Sequence, residues 1–153
     1  MVNIVLLEPR MPGNVGTIGR LAYATGSVLH LIKPYGFGEI TQKEVKRAGL
    51  DYWEHLDVRE YENIEDFNNK NSDANCYYAT TKTTKPYFEA KFKPNDYIFF
   101  GREDAGLPKE LLDNNQDRAI NIPMVNEARS LNIANSVSIV VYDVIRQNFT
   151  EFN

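Results

Sequence analysis

The sequence predicts an α/β domain with a parallel sheet and helices on both of its faces. Two observations carry this prediction: short apolar runs rich in β-branched and aromatic residues, and helical patterns that lie between them. The runs that we interpret as buried strands are VNIVLL (2–7), SVLHLI (27–32), CYYAT (76–80), YIFF (97–100) and AINI (119–122). The helical patterns span about 14–25, 41–48, 64–70, 108–113 and 130–147. Strands that alternate with helices in this way are typical of parallel sheets.

The last helical pattern is the clearest. Its apolar residues recur at spacings of three and four and give one broad apolar face. These residues are Leu131, Ala134, Val137, Val141, Val144 and Ile145. Because residues 139–142 are also largely apolar, we expect the helix to bury a second face against another subunit.

Two polar stretches complete the outline. The acidic stretch DVREYENIED (57–66) is typical of the start of a solvated helix. The stretch FNNKNSDAN (67–75) favours an exposed loop. No internal repeat or linker divides the chain, so we expect one domain over residues 1–153 with no appended RNA-binding domain.

Composition limits the class of protein. The chain is 42% hydrophobic and has no apolar run of 18 residues, so no transmembrane helix is expected. The strand-like N-terminus has neither a basic leader nor a small-residue cleavage site. Cys76 is the single cysteine, which favours a small core residue in a cytoplasmic protein. Since His30 and His55 are isolated in the sequence, no metal site is expected.

The charge is acidic on average but uneven. A formal net charge of −4 argues against nonspecific coating of nucleic acid. Positive residues nevertheless concentrate in two stretches, and either could form a local patch. They are Arg10, Arg20, Lys33, Lys43, Lys46 and Arg47 in the first third of the chain, and Lys82, Lys85, Lys91 and Lys93 later.

Three junctions, two of them rich in glycine, follow predicted strands, where the ligands of open parallel sheets bind. The first is MPGNVGTIGR (11–20), in which Asn14 can cap a helix and Arg20 lies nearly two turns further on. Its glycines each cost a helix about 1 kcal/mol relative to alanine, so close approach of a ligand or of other backbone should offset the loss. Tight helix packing with Arg20 on the surface explains the pattern equally well.

The second and third junctions carry further polar groups. In FFGREDAGLP (99–108) a strand ends at a glycine, and Pro108 is predicted to start a helix at its favoured first position. In INIPMVNEARSLNIANS (120–136), Ser130 could be only an N-cap, with Asn132 and Asn135 in solvent. Burial of two asparagines there without hydrogen-bond partners would cost free energy of folding, which favours a ligand contact. All three junctions are expected to face one crevice.

The three junctions together resemble the motifs of the SPOUT superfamily of RNA methyltransferases, in its SpoU-type 2'-O-methylating branch. Asn14, Gly16 and Arg20 match the first motif, FGREDAGLP is similar to the second, and IPM with SLN at 130–132 is similar to the third. The resemblance covers nearly the whole chain. With the stretch GFGEITQKEVKRAGLDYW it extends to the minimal TrmL (YibK-like) group, which methylates the wobble-nucleotide ribose of tRNA.

The resemblance implies a deep C-terminal trefoil knot, a rare exception to the rule that chains do not thread loops. It also implies a homodimer that binds S-adenosylmethionine and the anticodon stem-loop of tRNA, with no metal and no membrane. By position it assigns the cofactor pocket to Ala79, Gly101, Ile122, Ser130 and Leu131. Ala79 departs from related sequences, which can carry a larger apolar residue there.

The resemblance assigns the catalytic step to Arg20, with Asn132 orienting the ribose. A guanidinium is a poor base but a good partner for a developing alkoxide, which favours stabilisation over proton removal. Water, a phosphate oxygen or a perturbed arginine could take the proton. Substrate contacts are expected from Asn14, Glu103, Arg10, Lys46 and Arg47, with Lys82 or Lys85 completing the basic patch.

Other functions remain open at this point. One is a non-catalytic knotted RNA-binding protein, against which Arg20 and the SLN stretch argue. Another is methylation of ribosomal RNA. A dinucleotide-dependent oxidoreductase is disfavoured because the glycine spacing is GxxGxxG rather than GxGxxG, and because Lys33 and Pro34 replace the expected acid.

Overall fold

The computed structural model describes residues 1–40 and 52–152. Within these ranges the chain forms a six-stranded sheet with helices between the strands. The strands are β1 (Asn3–Leu7), β2 (Val28–Ile32), β3 (Val58–Tyr61), β4 (Cys76–Ala79), β5 (Tyr97–Phe100) and β6 (Ala119–Ile120). The α-helices are α1 (Pro12–Thr25), α2 (Ile64–Lys70), α3 (Lys109–Asp113) and α4 (Ile133–Gln147).

The strand order is β3-β2-β1-β5-β4-β6, and every neighbouring pair is parallel. β1 lies between β2 and β5, with Asn3 opposite both Val28 and Tyr97. All five residues of β1 and of β2 are buried, as expected of strands covered on both faces. The predicted parallel α/β fold is confirmed, and the trefoil knot stays a prediction.

Apolar side chains form one cluster on each face of the sheet. On the first face, α1 and α4 pack side by side through Val15, Ile18, Val137 and Val141, among others. On the opposite face, α2 contributes Phe67 to the second cluster. The prediction of helices on both faces is therefore also confirmed, and α1 and α4 both begin at the carboxyl edge of the sheet.

The prediction for residues 57–66 was wrong in part, because Val58–Tyr61 is a strand. β3 is an edge strand, and its middle residues Arg59 and Glu60 are exposed. Arg59 pairs with Asp57 at 2.9 Å. An edge strand is partly exposed to solvent and can therefore carry charged residues. For this reason the composition of β3 resembled that of a solvated helix. The helix predicted at about 41–48 lies outside the described residues.

Three helix starts differ from the prediction. α1 begins at Pro12 after Met11, so Asn14 lies inside its first turn and is not the cap. Pro108 is the N-cap residue of α3 and not its first helical residue. α4 begins at Ile133 and is capped by Asn132, whose Oδ1 accepts hydrogen bonds from the backbone N–H groups two and three residues later. Ser130 precedes the helix.

A buried hydrogen-bond network joins four strands around His30. The side chain of Asn3 donates to Asn95 O, so its Oδ1 accepts from His30 Nε2 at 2.9 Å. His30 Nδ1 then accepts from the hydroxyl of Tyr61 at 2.8 Å. Tyr61 in turn accepts from Asn71, whose Oδ1 accepts from the Tyr97 hydroxyl. Both hydrogen-bond partners of His30 suit a neutral imidazole, because one ring nitrogen donates and the other accepts.

The network should make folding sensitive to acid. Burial, with a smaller effect of the nearby Arg59, lowers the pKa of His30 to about 4. The unfolded chain therefore binds a proton at His30 at higher pH than the folded chain does. Stability from this residue is complete above the ordinary histidine pKa and falls as the pH drops toward the folded value.

We expect His30 to contribute about 2 kcal/mol to the loss in free energy of unfolding between about pH 7 and about pH 5. Urea unfolding of the parent protein and of a His30→Gln variant at both pH values measures this contribution. The variant should be less stable at neutral pH but should lose about 2 kcal/mol less on acidification. Equal pH dependence in the two proteins would contradict the assignment.

Candidate functional site

Four loops enclose a cavity of about 630 Å³ at the carboxyl edge of the sheet. The first glycine junction contributes Met11 and Asn14 to its lining, and the other two contribute residues 101–107 and part of 122–136. The expectation that the three junctions face one crevice is confirmed. Residues 80–82, which follow β4, form the fourth loop; Lys82 was expected in the basic patch, but Thr80 and Thr81 were not expected at the site. The polar stretch TTK directly after a predicted strand was the available signal.

The second junction folds tightly onto itself. Arg102 and Gly106 exchange two backbone hydrogen bonds, and Gly106 has φ of 70°. A Cβ atom at Gly101 would lie 2.1 Å from the carbonyl carbon of Gly106 and 2.3 Å from the nitrogen of Leu107. Only glycine allows this approach, so the main chain itself forms one wall of the cavity.

Glu103 joins the second junction to the first. Its Oε2 accepts a hydrogen bond of 2.7 Å from the backbone N–H of Arg10. Its Oε1 is buried and, among the described residues, has no hydrogen-bond partner. Although Glu103 lines the cavity, this oxygen is buried beneath its surface, as is the Nε of Arg10, which also has no hydrogen-bond partner among the described residues. Glu103 therefore acts through Oε2, by which it holds the loop before α1.

Arg10 has a different position from the one predicted. Its guanidinium lies 3.3 Å from Glu8, and Arg10 is not among the residues that line the cavity. A Cβ atom at Gly36 would lie 2.6 Å from the Cδ of Arg10, so the loop that follows β2 packs directly against the Arg10 side chain. These contacts indicate that Arg10 fixes the loop before α1.

Asn132 joins the third junction to the first. Its Nδ2 donates to Asn14 Oδ1 at 3.4 Å while its Oδ1 caps α4. Both asparagines line the cavity. Asn132 and Asn135 are exposed in this chain, so the predicted cost of burying them does not arise. Asn132 is instead held in place by its role as a cap.

Positive charge surrounds the cavity mouth. Lys82 and Arg129 are exposed residues of the lining. Arg102 also lines the cavity, and its guanidinium lies 2.7 Å from Asp104, a hydrogen bond that lowers the pKa of that carboxyl. Lys85 lies outside the lining, and its Nζ donates to the backbone oxygen of Gln116 at 3.2 Å.

The structure therefore brings together most of the site residues that the sequence predicted. Those in the lining are Asn14, Ala79, Gly101, Glu103, Ile122, Ser130, Leu131 and Asn132. Arg10 and Arg20 are outside it, and Lys46 and Arg47 fall outside the described residues.

Arg20 is the main departure from the expected arrangement. It is exposed, and its guanidinium carbon lies 5.9 Å from the ring centroid of Tyr52. Six residues separate Arg20 from Asn14, which corresponds to about 9 Å along the axis of α1 and about 120° around it. The same helix thus directs Asn14 to the cavity and Arg20 away from it.

Residues 1–40 and 52–152 contain no cluster of three or more His, Cys, Asp or Glu residues that could hold a metal ion. None of the helices there combines the length and apolar character that crossing a membrane requires. Cys76 is half-buried, and burial raises the pKa of its thiol to about 11, which fits an unreactive thiol.

Substitution of Gly101 by alanine should break the second junction. The added methyl group would overlap backbone atoms that cannot rotate away, so we expect a loss of about 3 kcal/mol in the free energy of unfolding. Gly13→Ala is the matched control, because no atom lies within 4 Å of a Cβ at that position. Thermal unfolding of both variants measures the difference, and equal stabilities would contradict the described loop.

Comparison with known proteins agrees with this geometry. Residues 1–142 match the SpoU rRNA Methylase family. The tRNA (cytidine(34)-2'-O)-methyltransferase of Yersinia pestis is 42% identical over 153 residues, which cover 96% of this chain and 94% of the relative. A solved structure that concerns the 2'-OH methylation of C/U34 on tRNA has 37% identity and a TM-score of 0.92, covering 98% and 97% of the two chains.

A more distant structure shows the same fold with a ligand. The AdoMet-bound rRNA methyltransferase from Sinorhizobium meliloti is 26% identical with a TM-score of 0.83, and the match covers 95% of this chain and 56% of that one. The family match spans nearly the whole chain and includes all three junctions. The chain belongs to the SpoU rRNA methylase family.

Proposed function

We propose that the protein is a tRNA 2'-O-methyltransferase that transfers a methyl group from S-adenosylmethionine to the ribose of a wobble cytidine or uridine. The observation that carries the proposal is the convergence of the three junctions on one cavity. The relative from Yersinia pestis and the structure concerned with C/U34 support the choice of tRNA. The whole unit, residues 1–153, would act as one methyltransferase domain.

The cavity suits S-adenosylmethionine in size and chemistry. Its volume of about 630 Å³ is within the range of small-molecule sites. Apolar side chains form the walls, and the Gly101 turn offers backbone groups that can pair with a ring edge. We propose that Ala79, Gly101, Ile122, Ser130 and Leu131 hold the cofactor. When bound, it supplies a methyl group on a sulfonium that an oxygen nucleophile can take without a metal.

The remaining polar residues of the lining would hold the substrate. We propose that Asn132 orients the ribose, since its side chain is already fixed between Asn14 and the start of α4. Glu103 would support the substrate side of the cavity by holding the loop that precedes Asn14. Holding the hydroxyl oxygen about 3 to 3.5 Å from the methyl carbon would provide much of the rate acceleration.

Arg20 would act as part of a homodimer. Because Arg20 points away from the cavity of its own chain, we propose that the Arg20 of the partner subunit faces it. The exposed Tyr142 on α4 would form part of the dimer contact. There the guanidinium would stabilise the developing alkoxide and hold the adjacent phosphate. A guanidinium stays protonated in proteins, so the proton would leave to water or to a phosphate oxygen.

RNA binding would rest on local positive charge. Lys82 and Arg129 at the cavity mouth would contact phosphates, as would Lys46 and Arg47. Such contacts weaken as salt increases, because binding releases counterions. The net charge of −4 means that the patch must be local, which favours recognition of one loop shape over general RNA binding.

The reaction can be tested directly. Incubation with methyl-labelled S-adenosylmethionine and total tRNA should label RNA, and nucleotide mapping should place the 2'-O-methyl group at position 34. Arg20→Ala should reduce transfer by at least 10²-fold, because a preorganised transition-state contact is lost, while calorimetry finds cofactor affinity within about twofold. The exposed Lys109 provides a control, and Lys109→Ala should retain parental activity.

Other outcomes separate the competing functions. Label in ribosomal RNA with none in tRNA would favour an rRNA methyltransferase. Cofactor-independent RNA binding with no label would favour a non-catalytic binding protein. Parental activity in Arg20→Ala would remove Arg20 from the mechanism.

Mixed dimers test whether the site is shared between subunits. Co-expression of Arg20→Ala chains with Ser130→Trp chains, whose added ring is designed to fill the cavity that Ser130 lines, gives heterodimers with one intact site if Arg20 serves the other subunit's cavity. With random pairing about half of the dimers are mixed, and one site in each is complete, so about a quarter of parental activity should return. If Arg20 serves its own cavity, no activity returns. The control is a mixture of the two variants purified separately as homodimers that do not exchange subunits, and it should show no recovered activity.

A further inference from the structure

A second surface with a clear chemical character lies beside Arg20 and outside the cavity. The rings of Tyr23 and Tyr52 stack with centroids 4.9 Å apart and an interplanar angle of 21°. His55 lies 6.3 Å from Tyr23, and the Arg20 guanidinium lies over Tyr52. We call Tyr23, Tyr52 and His55 the aromatic platform.

The platform depends on Gly19 in the first glycine junction. A Cβ atom at Gly19 would lie 2.9 Å from the ring of Trp53 and 3.1 Å from Leu56. The missing side chain lets the 3-10 turn Trp53–His55 pack directly on α1. That packing brings Tyr52 against Tyr23, so a glycine of the helix positions an aromatic pair on its flank.

The platform is available to a partner. Tyr23 is 46% exposed although its ring is large and mostly apolar. Its contact with Tyr52 holds the ring in a fixed orientation, so a further aromatic group could stack with little loss of side-chain entropy. The neighbouring guanidinium adds a positive charge that attracts phosphate and can itself stack on a base. Aromatic rings beside a cation are the usual platform for unpaired nucleotides.

We propose that the aromatic platform stacks an unpaired base of the RNA loop, on a nucleotide next to the one that is methylated. Tyr23 lies three residues after Arg20 on α1, which is less than one helical turn or about 4.5 Å along the axis. A loop whose target ribose is held by Arg20 would therefore pass over the platform. This inference rests on the proposed function, since it takes RNA as the partner and Arg20 as a substrate contact.

An anticodon stem-loop that carries 2-aminopurine next to position 34 provides the probe. Binding to the parent protein should quench its fluorescence, because the base stacks on an aromatic ring. Tyr23→Ala should abolish the quenching and weaken binding about tenfold, as measured by anisotropy. In methylation assays the variant should raise KM for the stem-loop by a similar factor and leave kcat within about twofold. Tyr23→Phe keeps the ring and should behave as the parent.

Phe88→Ala is the matched control, since Phe88 is 53% exposed and lies on the connection between β4 and β5. Its binding and quenching should equal those of the parent. Sedimentation of Tyr23→Ala should give the parental oligomeric state. Dissociation of the dimer would show that a second copy covers the platform and would overturn the proposal, as would unchanged quenching. Because anisotropy reports binding without catalysis, loss of methylation alone leaves this test intact.

Discussion

One partly buried hydrogen bond, from the backbone N–H of Arg10 to Glu103, connects the loops on which the site depends. Adjacent parallel strands bring the loops after β1 and β5 to the same edge, but adjacency alone does not fix their separation. The carboxylate holds the chain just before α1, and so determines where Asn14 lies. Asn14 then accepts from Asn132, which caps α4. The position of three loops follows from a short series of polar contacts between main chain and side chain.

Much of this arrangement could be predicted from local sequence patterns. Buried parallel strands such as β1 and β2 are apolar along their whole length, and the face of α4 repeats at helical spacing, so both were recognisable. β3 was missed because an edge strand can carry charged residues. The observed start of α4 lies later than predicted, because the position of a helix cap depends on which polar side chain binds the first free backbone N–H groups. The direction of Arg20 could not be predicted, since it depends on helix phase relative to neighbouring elements.

The glycines of the first junction show why a motif can mislead when it is read as one device. Gly13 lies in open space, Gly16 is buried in the helix packing, and Gly19 admits Trp53. Equal spacing in sequence places them about 60° apart around α1, so successive glycines meet different neighbours. The pattern resembled a dinucleotide fingerprint because glycine allows close approach in both. In the fingerprint a ligand approaches the glycines, whereas here Trp53 approaches Gly19.

The wall formed by the Gly101 turn has a consequence for how the cavity can evolve and how it can be mapped. Recognition by main-chain groups, as proposed for the cofactor, would depend little on which side chain each residue carries. Alanine in place of Arg102 or Asp104 would leave those groups in place, so their substitution would reveal little about this wall. Alanine at Gly101 would displace the groups, and alanine at Glu103 would release the loop before α1. Inhibitors that pair only with this backbone would leave few single substitutions by which resistance could arise.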